Sequence, residues 1–418
     1  MISRRELLAG APLLAGAAKR PNVLVFLTDQ ETAMIPGPVN VPHRRRLEAQ
    51  GVRFTNAFCN TPQCSAARSS LLTGLEPHQT GVLTNVDPGS LGKPLPQRLP
   101  TLGSVFRPAG YRTGYFGKWH LGDETKGLDD FGFSITRHGK DEQVAQEAAA
   151  WIREQSGPWL AYVSVLNPHE IYSIGSVLKT TRPRPGVSAP ATDLRDLATK
   201  PSEQQEYVDK DQGKQTRSFT PEDWILYRTF YCALVERADA CLGTVLGAVG
   251  DPRSSIIVYS SDHGDAIGEH GLPFKGPFMY EPEIRIPLVI SAPGRWTPQV
   301  RDDLVTQTDL APTLASLAGL AWPSKISGRD LFHQRNTSGA VFLEYYAKQK
   351  WVNPIRTIRT ARWKLNWYDS GHQELYDLSS DPQEARNLAA EATFSKVKGE
   401  LERRLDGWRG PITSAARV

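Results

Sequence analysis

Cys64 and Arg68 stand four residues apart in a segment whose composition suits chemistry on an anion. Small and apolar residues around them, including Leu71 and Leu72, predict a short helix that begins at Cys64 and stops at Gly74. A helix N-terminus favours anionic groups, because its peptide dipoles and free N–H donors point outward. Arg68, one turn on, adds a planar pair of donors suited to oxyanions. The alternative is an ordinary helix with a buried cysteine.

Two pairs of polar residues each follow a short apolar run, Asp29-Gln30 in one place and Asp262-His263 in another. Two carboxylates and an amide form an oxygen-rich set that suits a hard divalent cation, and Ca²⁺ tolerates irregular geometry better than Mg²⁺ does. The imidazole of His263 is a less usual ligand for such an ion. Either pair alone is equally typical of a turn at the end of a strand.

A third candidate lies in the segment from Gly117 to Gly122, which holds Lys118, Trp119 and His120. On a strand, side chains alternate between faces, so Lys118 and His120 are predicted to point one way and Trp119 the other. A lysine and a histidine on one face can hold an oxyanion and exchange a proton with a hydroxyl group. The alternative is a pair of ordinary surface residues.

Two further residues complete the set of candidates. His169 follows the apolar run from Leu160 to Leu166, although a single histidine is more often structural than catalytic. Lys275 lies thirteen residues after Asp262, beyond a glycine-containing loop.

Taken together, these segments resemble the type I sulfatases of the alkaline-phosphatase-like superfamily. The cysteine segment matches the motif C-x-[P/A]-x-R, residues 117–122 match G-K-W-H-L-G, and His169 matches a P-H element. Residues 374–388 match E-L-Y-D-L-x-x-D-P-x-E-x-x-N-L, so the resemblance runs from Asn22 to about Leu388. Ala66 replaces the commoner proline, which leaves open which maturase acts, and residues 41–44 replace the commoner T-P-N-L.

The resemblance implies a mechanism and a set of site residues. A formylglycine-generating maturase converts Cys64 to formylglycine, whose hydrate attacks sulfur, and a calcium ion is bound beside it, with magnesium the less favoured ion. His169 then protonates the departing alcohol, and His120 assists the release of sulfate. The catalytic residues implied are Cys64, Arg68, Lys118, His120, His169 and Lys275. The metal site implied comprises Asp29, Gln30, Cys64, Asp262 and His263.

The elements that must position these residues follow an alternating pattern. Apolar runs predict strands at Val23–Leu27, Leu160–Leu166, Ile256–Ser260 and Ile286–Ser291. Helical patterns lie at Pro42–Gln50, Pro100–Ala109, Glu142–Gln155, Pro221–Val249 and Leu310–Leu317. This alternation predicts an α/β fold with a large, mostly parallel sheet flanked by helices, as the resemblance also implies. Ligands bind beyond the carboxyl ends of such strands, which is where the candidate pairs fall.

The pattern changes after about residue 330. Short strands are predicted at Ala340–Tyr345, Ile355–Thr360, Trp363–Trp367 and Glu374–Leu378, followed by a helix from Ala392 to Trp408. We therefore expect a catalytic α/β domain over residues 19–330 and a C-terminal subdomain over residues 331–418, with a small antiparallel sheet and a helix. Residues 173–219 are polar with little periodicity, and we interpret them as an insertion bordering the active site.

Substrate specificity is expected to come from residues outside the sulfate pocket. Candidate substrate-binding residues are Lys350, Trp351, Arg356 and Arg359, which offer cations and one face on which a sugar ring could stack. They favour a sulfated glycan over a small aryl or choline ester; alternatively, Trp351 only fills the seam between the domains. Competing functions are a phosphodiesterase or phosphonate monoester hydrolase of the same superfamily, and a non-catalytic binding protein in which Cys64 stays a thiol.

The composition and the N-terminus bear on location and partners. A net charge of +4 gives no reason to expect nucleic-acid binding, and the basic run Arg44–Arg46 is interpreted as a solvated helix face. Residues 1–18 resemble a twin-arginine signal peptide, with Arg4-Arg5 before an apolar run and an A-x-A site at residues 15–17. We expect export by the twin-arginine machinery to the periplasm or another extracytoplasmic location, without stable membrane insertion after cleavage. Four cysteines are too few for a disulfide scaffold in 418 residues.

Overall fold

The computed structural model describes residues 20–408, so the expected signal peptide lies outside the described residues. A large sheet forms its centre. Its eight strands are β1 (Asn22–Asp29), β2 (Val52–Phe58), β3 (Arg112–Gly117), β4 (Ile135–Arg137), β5 (Trp159–Pro168), β6 (Ser255–Ser261), β7 (Leu288–Ser291) and β8 (Gln299–Thr306). They are ordered β4-β3-β5-β1-β6-β7-β2-β8. Only β7 runs antiparallel to its neighbours, and the expected mostly parallel sheet is confirmed.

The central strands are apolar because both faces of the sheet are covered. Along β1, Val23 and Val25 face one hydrophobic core, whereas Leu24 and Phe26 face another on the opposite side. A strand buried on both faces has no need of alternating polarity, which is why β1, β5 and β6 read as continuous apolar runs.

Helices cover the sheet and connect its strands. They are α1 (Pro42–Glu48), α2 (Cys64–Thr73), α3 (Pro77–Thr80), α4 (Leu102–Phe106), α5 (Asp141–Arg153), α6 (Ile174–Val177), α7 (Ser202–Lys210), α8 (Pro221–Leu246), α9 (Glu281–Ile284), α10 (Leu310–Leu317) and α11 (Ser395–Trp408). Short 3₁₀ helices lie at Arg107–Ala109, Asp129–Phe131, His169–Ser173, Leu194–Thr199, Gln212–Gln215, Pro252–Ser254, Glu269–Gly271, Gln307–Asp309 and Ala392–Phe394. Within residues 20–408, no helix combines the length and low polarity that crossing a bilayer requires.

A second, antiparallel sheet follows the first along the chain. Its strands β9 (Ala340–Lys348), β10 (Trp351–Thr360), β11 (Trp363–Tyr368) and β12 (Gln373–Asp377) are ordered β12-β11-β10-β9. Leu401 and Leu405 of α11 pack on one face. From the other face, Leu343 and Ile355 join the hydrophobic core of the large sheet. The two sheets therefore share a continuous core.

Residues 173–219 are more ordered than their composition predicts. They contain α6, α7 and two 3₁₀ helices. They also form hydrogen bonds with the small sheet and with the loop that precedes Lys275. The amide of Gln204 donates to Glu374 Oε1 at 3.1 Å in the small sheet. The hydroxyl of Tyr207 donates to the carbonyl of Pro273 at 2.9 Å, two residues before Lys275. This segment thus links the small sheet to the loop that carries Lys275.

Two features of the fold differ in detail from the sequence interpretation. Arg44 is not part of a solvated face, because its Nη1 lies 2.6 Å from Oε1 of Glu31, and the side chain of Glu31 is fully buried. Arg45 and Arg46 are exposed, as expected. The strand expected over residues 286–291 is shorter and antiparallel. The burial of Arg44 depends on its contact with Glu31, which a local pattern does not show.

Candidate active site

The candidate residues meet at the carboxyl ends of four adjacent strands. Asp29 is the last residue of β1, Asp262 follows β6, Lys118 follows β3 and His169 follows β5. In the sheet these strands are neighbours, in the order β3-β5-β1-β6. The parallel arrangement therefore brings together residues that are more than two hundred positions apart in the sequence.

Cys64 is the first residue of α2, and the helix ends as the sequence predicts, at Gly74 with φ +71°. Its side chain is buried among charged groups. The sulfur lies 2.8 Å from Lys275 Nζ, 3.2 Å from His263 Nε2 and 3.8 Å from Asp29 Oδ1. The helix therefore places residue 64 at the centre of the cluster.

Arg68 is 1% exposed, and its guanidinium donates four hydrogen bonds to other residues of the protein. Its Nε bonds Asp262 Oδ2 at 2.9 Å, and its Nη2 bonds Asp29 Oδ2 at 2.9 Å. Its Nη1 bonds the Lys118 carbonyl at 2.8 Å and Ser164 Oγ at 2.7 Å. The guanidinium therefore fixes both carboxylates and balances their charge, rather than presenting a free fork to an anion.

The expected metal ligands form a compact group. One ligand atom each from Asp29, Cys64, Asp262 and His263 can be chosen so that all lie within 4.8 Å of one another, and all four residues are buried. Because Arg68 binds the Oδ2 atoms of both aspartates, their Oδ1 atoms are on the side of His263, at 3.9 and 3.6 Å from its Nε2. Two carboxylate oxygens beside an imidazole nitrogen fit a divalent cation.

Gln30 lies beside this group, with φ +73°. Its Nε2 donates to Asp265 Oδ2 at 2.7 Å, which fixes the side chain so that Oε1 points to Lys275 Nζ, 3.2 Å away. Lys275 Nζ is itself 2.7 Å from His263 Nε2. The amide oxygen is thus available to the same site, and Asp265 holds it there.

Lys118 and His120 reach the site by a different route from the expected one. The strand β3 ends at Gly117, so Lys118, Trp119 and His120 lie in the following loop and not on a strand. The chain turns sharply there, with φ +95° at Gly117 and +59° at His120. Lys118 Nζ bonds Asp29 Oδ2 at 2.5 Å, whereas the side chain of Trp119 is buried in the hydrophobic core. Lys118 and Trp119 therefore point in different directions, as expected.

His169 borders an aromatic pair that sequence reasoning missed. The ring of Tyr172 stacks on Phe274 with 4.1 Å between centroids, and its centroid is 4.8 Å from that of His169. Burial raises the pKa of Tyr172, and the charges of Cys64 and Asp265 add to the effect. An aromatic residue three positions after the P-H element was the available signal. The pair forms one wall beside His169.

Charge holds the cluster in defined protonation states. Burial acts to raise the pKa of Asp29, as does Cys64, but Lys118, His169 and Arg68 together hold it well below its usual range. Burial also opposes ionisation of Cys64, yet the nearby lysines bring its pKa well below that of an ordinary thiol. The site therefore stabilises negative charge at residue 64.

The four expected substrate-binding residues do not form one group in the structure. Arg359 is buried and pairs with Glu281 at 3.2 Å. Arg356 lies over the ring of Trp367, with its guanidinium carbon 5.9 Å from the ring centroid. Trp351 is half-buried against the apolar cluster of Tyr207, and Lys350 precedes it at the tip of the β9–β10 hairpin. Arg359 was expected to bind substrate, but its buried ion pair with Glu281 gives it a structural role.

Comparison with known proteins decides the family. The sulfatase family model matches residues 21–320, well over half of the chain. The chain belongs to the sulfatase family. A second model, described as N-sulphoglucosamine sulphohydrolase, C-terminal, matches residues 268–410. The chain is accordingly a sulfuric ester hydrolase with the fold expected from its motifs.

Similar sulfatases cover almost the whole chain. A Delta 4,5-hexuronate-2-O-sulfatase of Bacteroides thetaiotaomicron is 28% identical over 94% of this chain and 90% of its own length. A choline-sulfatase of Rhizobium meliloti is 28% identical over 88% and 82%. The solved structure of a 2-O GAG sulfatase has a TM-score of 0.82 at 25% identity, covering 93% of this chain and 92% of that one. A phosphonate monoester hydrolase of Agrobacterium radiobacter, at 23% identity and a TM-score of 0.80 over 93% and 95%, shares the fold.

Proposed function

We propose that this sulfatase removes a sulfate ester from a sulfated glycan, using formylglycine at position 64 and a calcium ion. The observation that carries the reaction is the position of Cys64, at a helix N-terminus and 2.8 Å from Lys275 Nζ. The glycan is supported by relatives whose names include a hexuronate-2-O-sulfatase and a 2-O GAG sulfatase. The choline-sulfatase among the relatives is the reason to test a small ester as well.

The residues around position 64 suit both the formylglycine and the calcium ion. Formylglycine would supply an aldehyde hydrate whose hydroxyl attacks sulfur, and the buried, positively charged surroundings of Cys64 suit an anionic substrate. Calcium would offset the charge of the sulfate, and Asp29, Gln30, Asp262 and His263 present three oxygens and a nitrogen for it. A maturase that recognises the Ala66 form of the motif is required as a partner.

The remaining residues act on charge and protons. Lys118 and Lys275 both adjoin residue 64 and can hold the sulfate oxygens. Burial lowers the pKa of His169, although Asp29 opposes this, so its protonated form is a stronger acid than an ordinary imidazolium and suits the protonation of a departing alkoxide. His120, near Cys64, can accept a proton there. Arg68 keeps Asp29 and Asp262 in place throughout.

A comparative assay tests this proposal. Sulfate release is measured from a 2-O-sulfated unsaturated uronide disaccharide, from an aryl sulfate and from choline sulfate. Hydrolysis of an aryl phosphonate monoester is measured separately for comparison. We expect the highest kcat/KM on the disaccharide and at least about a hundredfold loss in Cys64→Ser, with thermal stability close to that of the wild type. A higher kcat/KM on the phosphonate than on every sulfate would contradict a sulfate ester as the preferred substrate. Equal kcat/KM values on all three sulfates would contradict a glycan as the specific substrate.

Export is a separate proposal. We propose that residues 1–18 direct the folded, matured protein through the twin-arginine pathway to an extracytoplasmic location, since Cys64 must be modified before it leaves the cytoplasm. Replacing Arg4 and Arg5 by lysine should retain the protein in the cytoplasmic fraction of the native host. Unchanged secretion of that variant would contradict this route.

A further inference from the structure

Asp87 contacts the proposed catalytic histidine but lies outside the residues assigned so far. Its Oδ1 accepts a hydrogen bond from His120 Nε2 at 2.8 Å, and its side chain is 41% exposed. The hydrogen bond from His120 lowers the pKa of Asp87, so this carboxyl group is ionised at neutral pH. An ionised carboxylate only accepts hydrogen bonds, so Nε2 must carry the proton. In the neutral ring, Nδ1 is then left as the acceptor.

The other nitrogen of His120 faces the interior of the protein and not the solvent. Nδ1 is buried and has no hydrogen-bond partner among residues 20–408. The imidazole also adjoins Cys64. A buried acceptor without a partner is costly unless a donor arrives there. A hydroxyl group at residue 64 is such a donor.

The loop that carries Asp87 is fixed to the residue after Cys64. Ser65 N donates to Asn85 Oδ1 at 3.2 Å, and Val86 N donates to Ser65 Oγ at 2.9 Å. Ser65 Oγ in turn donates to the carbonyl of His120 at 2.5 Å. Asp87, His120 and the start of α2 are therefore tied together through one serine.

A turn after Asp87 holds the carboxylate in place. Ser90 N donates to the Asp87 carbonyl at 3.0 Å, and Asp87 N donates to Ser90 Oγ at 3.1 Å. The two residues between them are Pro88 and Gly89, which has φ +77°, as favoured at the centre of a type II turn. The carboxylate is thus presented by a closed turn and not by a loose loop.

We propose that Asp87 is a positioning residue, which holds His120 in the tautomer protonated at Nε2 so that Nδ1 can accept a proton from a hydroxyl group at residue 64. The proposal rests on the proposed function for its catalytic meaning. In this role Asp87 acts through His120 and not directly on the sulfate or the metal. Its contribution should therefore appear in the rate of turnover and not in substrate binding.

Kinetics of Asp87→Asn test the role directly. The amide keeps the size of the side chain and the turn, but it can offer its NH₂ to Nε2 and so favour the opposite tautomer. We expect kcat to fall about tenfold or more, with KM and thermal stability close to those of the wild type. Asp123→Asn is the matched control: this exposed aspartate is three residues from His120 and bonds Thr125. Its kinetics should not change.

Two kinetic results would overturn the proposal. A wild-type kcat in Asp87→Asn would show that the carboxylate only shapes the turn. A raised KM with unchanged kcat would show that Asp87 contacts the substrate directly.

A spectroscopic measurement decides the tautomer without substrate. The chain has nine histidines, so ¹⁵N shifts of labelled histidine can be assigned to His120 by comparison with His120→Gln. We expect the neutral ring of His120 to carry its proton at Nε2 in the wild type and to lose this preference in Asp87→Asn. A proton at Nδ1 in the wild type would overturn the proposal. If the wild type releases no sulfate from any ester, the proposed function fails, while this measurement still decides the role of Asp87.

Discussion

At the scale of single residues, the site is organised by charge sharing. Asp29 and Asp262 each use one oxygen for Arg68 and leave the other on the side of His263. Because Arg68 is buried, its positive charge must be balanced by both carboxylates. The same two residues therefore serve the stability of the fold and the proposed binding of the metal.

Asp262→Ala tests this double role. Removal of the carboxylate takes a ligand from the proposed calcium site and leaves buried Arg68 with one carboxylate partner. We expect loss of bound calcium after dialysis, at least about a hundredfold loss of kcat/KM and a decrease of about 3 kcal/mol in the free energy of unfolding. Asp369→Ala, at an exposed aspartate, is the control and should keep all three properties. Unchanged calcium content and activity in Asp262→Ala would remove the metal assignment.

At the scale of elements, strand ends determine where the catalytic side chains emerge. Gly117 ends β3 with φ +95°, a conformation that glycine adopts without strain. A β-carbon at this position would collide with the carbonyl oxygen of Ser164 on β5. Glycine therefore permits both the close approach of the two strands and the turn that carries Lys118 into the site.

Gly117→Ala should displace the Lys118–His120 loop. We expect a loss of about 2 kcal/mol in unfolding free energy, because backbone strain and a steric clash combine, and a clear loss of kcat. Gly110→Ala is the matched control, since Gly110 has φ +88° but its β-carbon would make only an ordinary contact, 3.9 Å from Arg20 Nη1. It should lose about 1 kcal/mol and keep its kcat. Equal effects in the two variants would mean that the clash at Gly117 has no part in positioning the loop.

The sequence predicts the elements and residues whose signals are local. The apolar runs of β1, β5 and β6 and the stop at Gly74 are visible because burial on both faces and a left-handed cap each require particular residues. By contrast, β8 has an exposed first half and lies at the edge of the sheet, so no apolar run marks it. The three-residue strand β4 is too short for any pattern.

The same distinction applies to the site. Cys64, Lys118 and Asp262 are recognisable because each sits in a short contiguous motif. Asp87 has no such motif, since its contact with His120 depends on hydrogen bonds that join three separate segments. The role of Arg68 was visible only as a nearby cation, because its carboxylate partners are remote in sequence.

At the scale of the whole molecule, the two sheets and residues 173–219 are joined by buried polar contacts. Lys348, at the end of β9, has Nζ at 2.9 Å from Asp211 Oδ2 and 2.8 Å from Gln212 Oε1. The same ammonium lies 4.3 Å from the centroid of the Tyr207 ring. A single lysine therefore joins the small sheet to the segment that supports the loop of Lys275.

This lysine should give stability a distinct pH dependence. Burial lowers the pKa of Lys348 to about 8, although Asp211 opposes the effect, whereas the ordinary value is 10.5. Between these values the unfolded chain holds a proton that the folded protein has lost, so the free energy of unfolding rises with pH. Below pH 8 both states are protonated, and the contribution is constant.

Urea unfolding at pH 7 to 10 checks this prediction. The stability of the wild type relative to Lys348→Met should increase as the pH passes from 8 toward 10, by up to about 1.4 kcal/mol per pH unit. Lys179→Met, at an exposed lysine, is the control and should follow the wild type at every pH. A constant difference between wild type and Lys348→Met would show that the lysine stays charged in the folded protein.

The measurement that tests the central claim most directly is mass spectrometry of residue 64 in protein expressed in its native host. Trypsin cleavage after Arg53 and Arg68 gives a peptide of residues 54–68, which contains both Cys59 and Cys64. Cys59 is buried, outside the motif, and serves as the control within the same peptide. We predict an aldehyde that reacts with a hydrazide at residue 64 and an alkylatable thiol at residue 59. An alkylatable thiol at both positions, in protein that releases sulfate, would contradict the account.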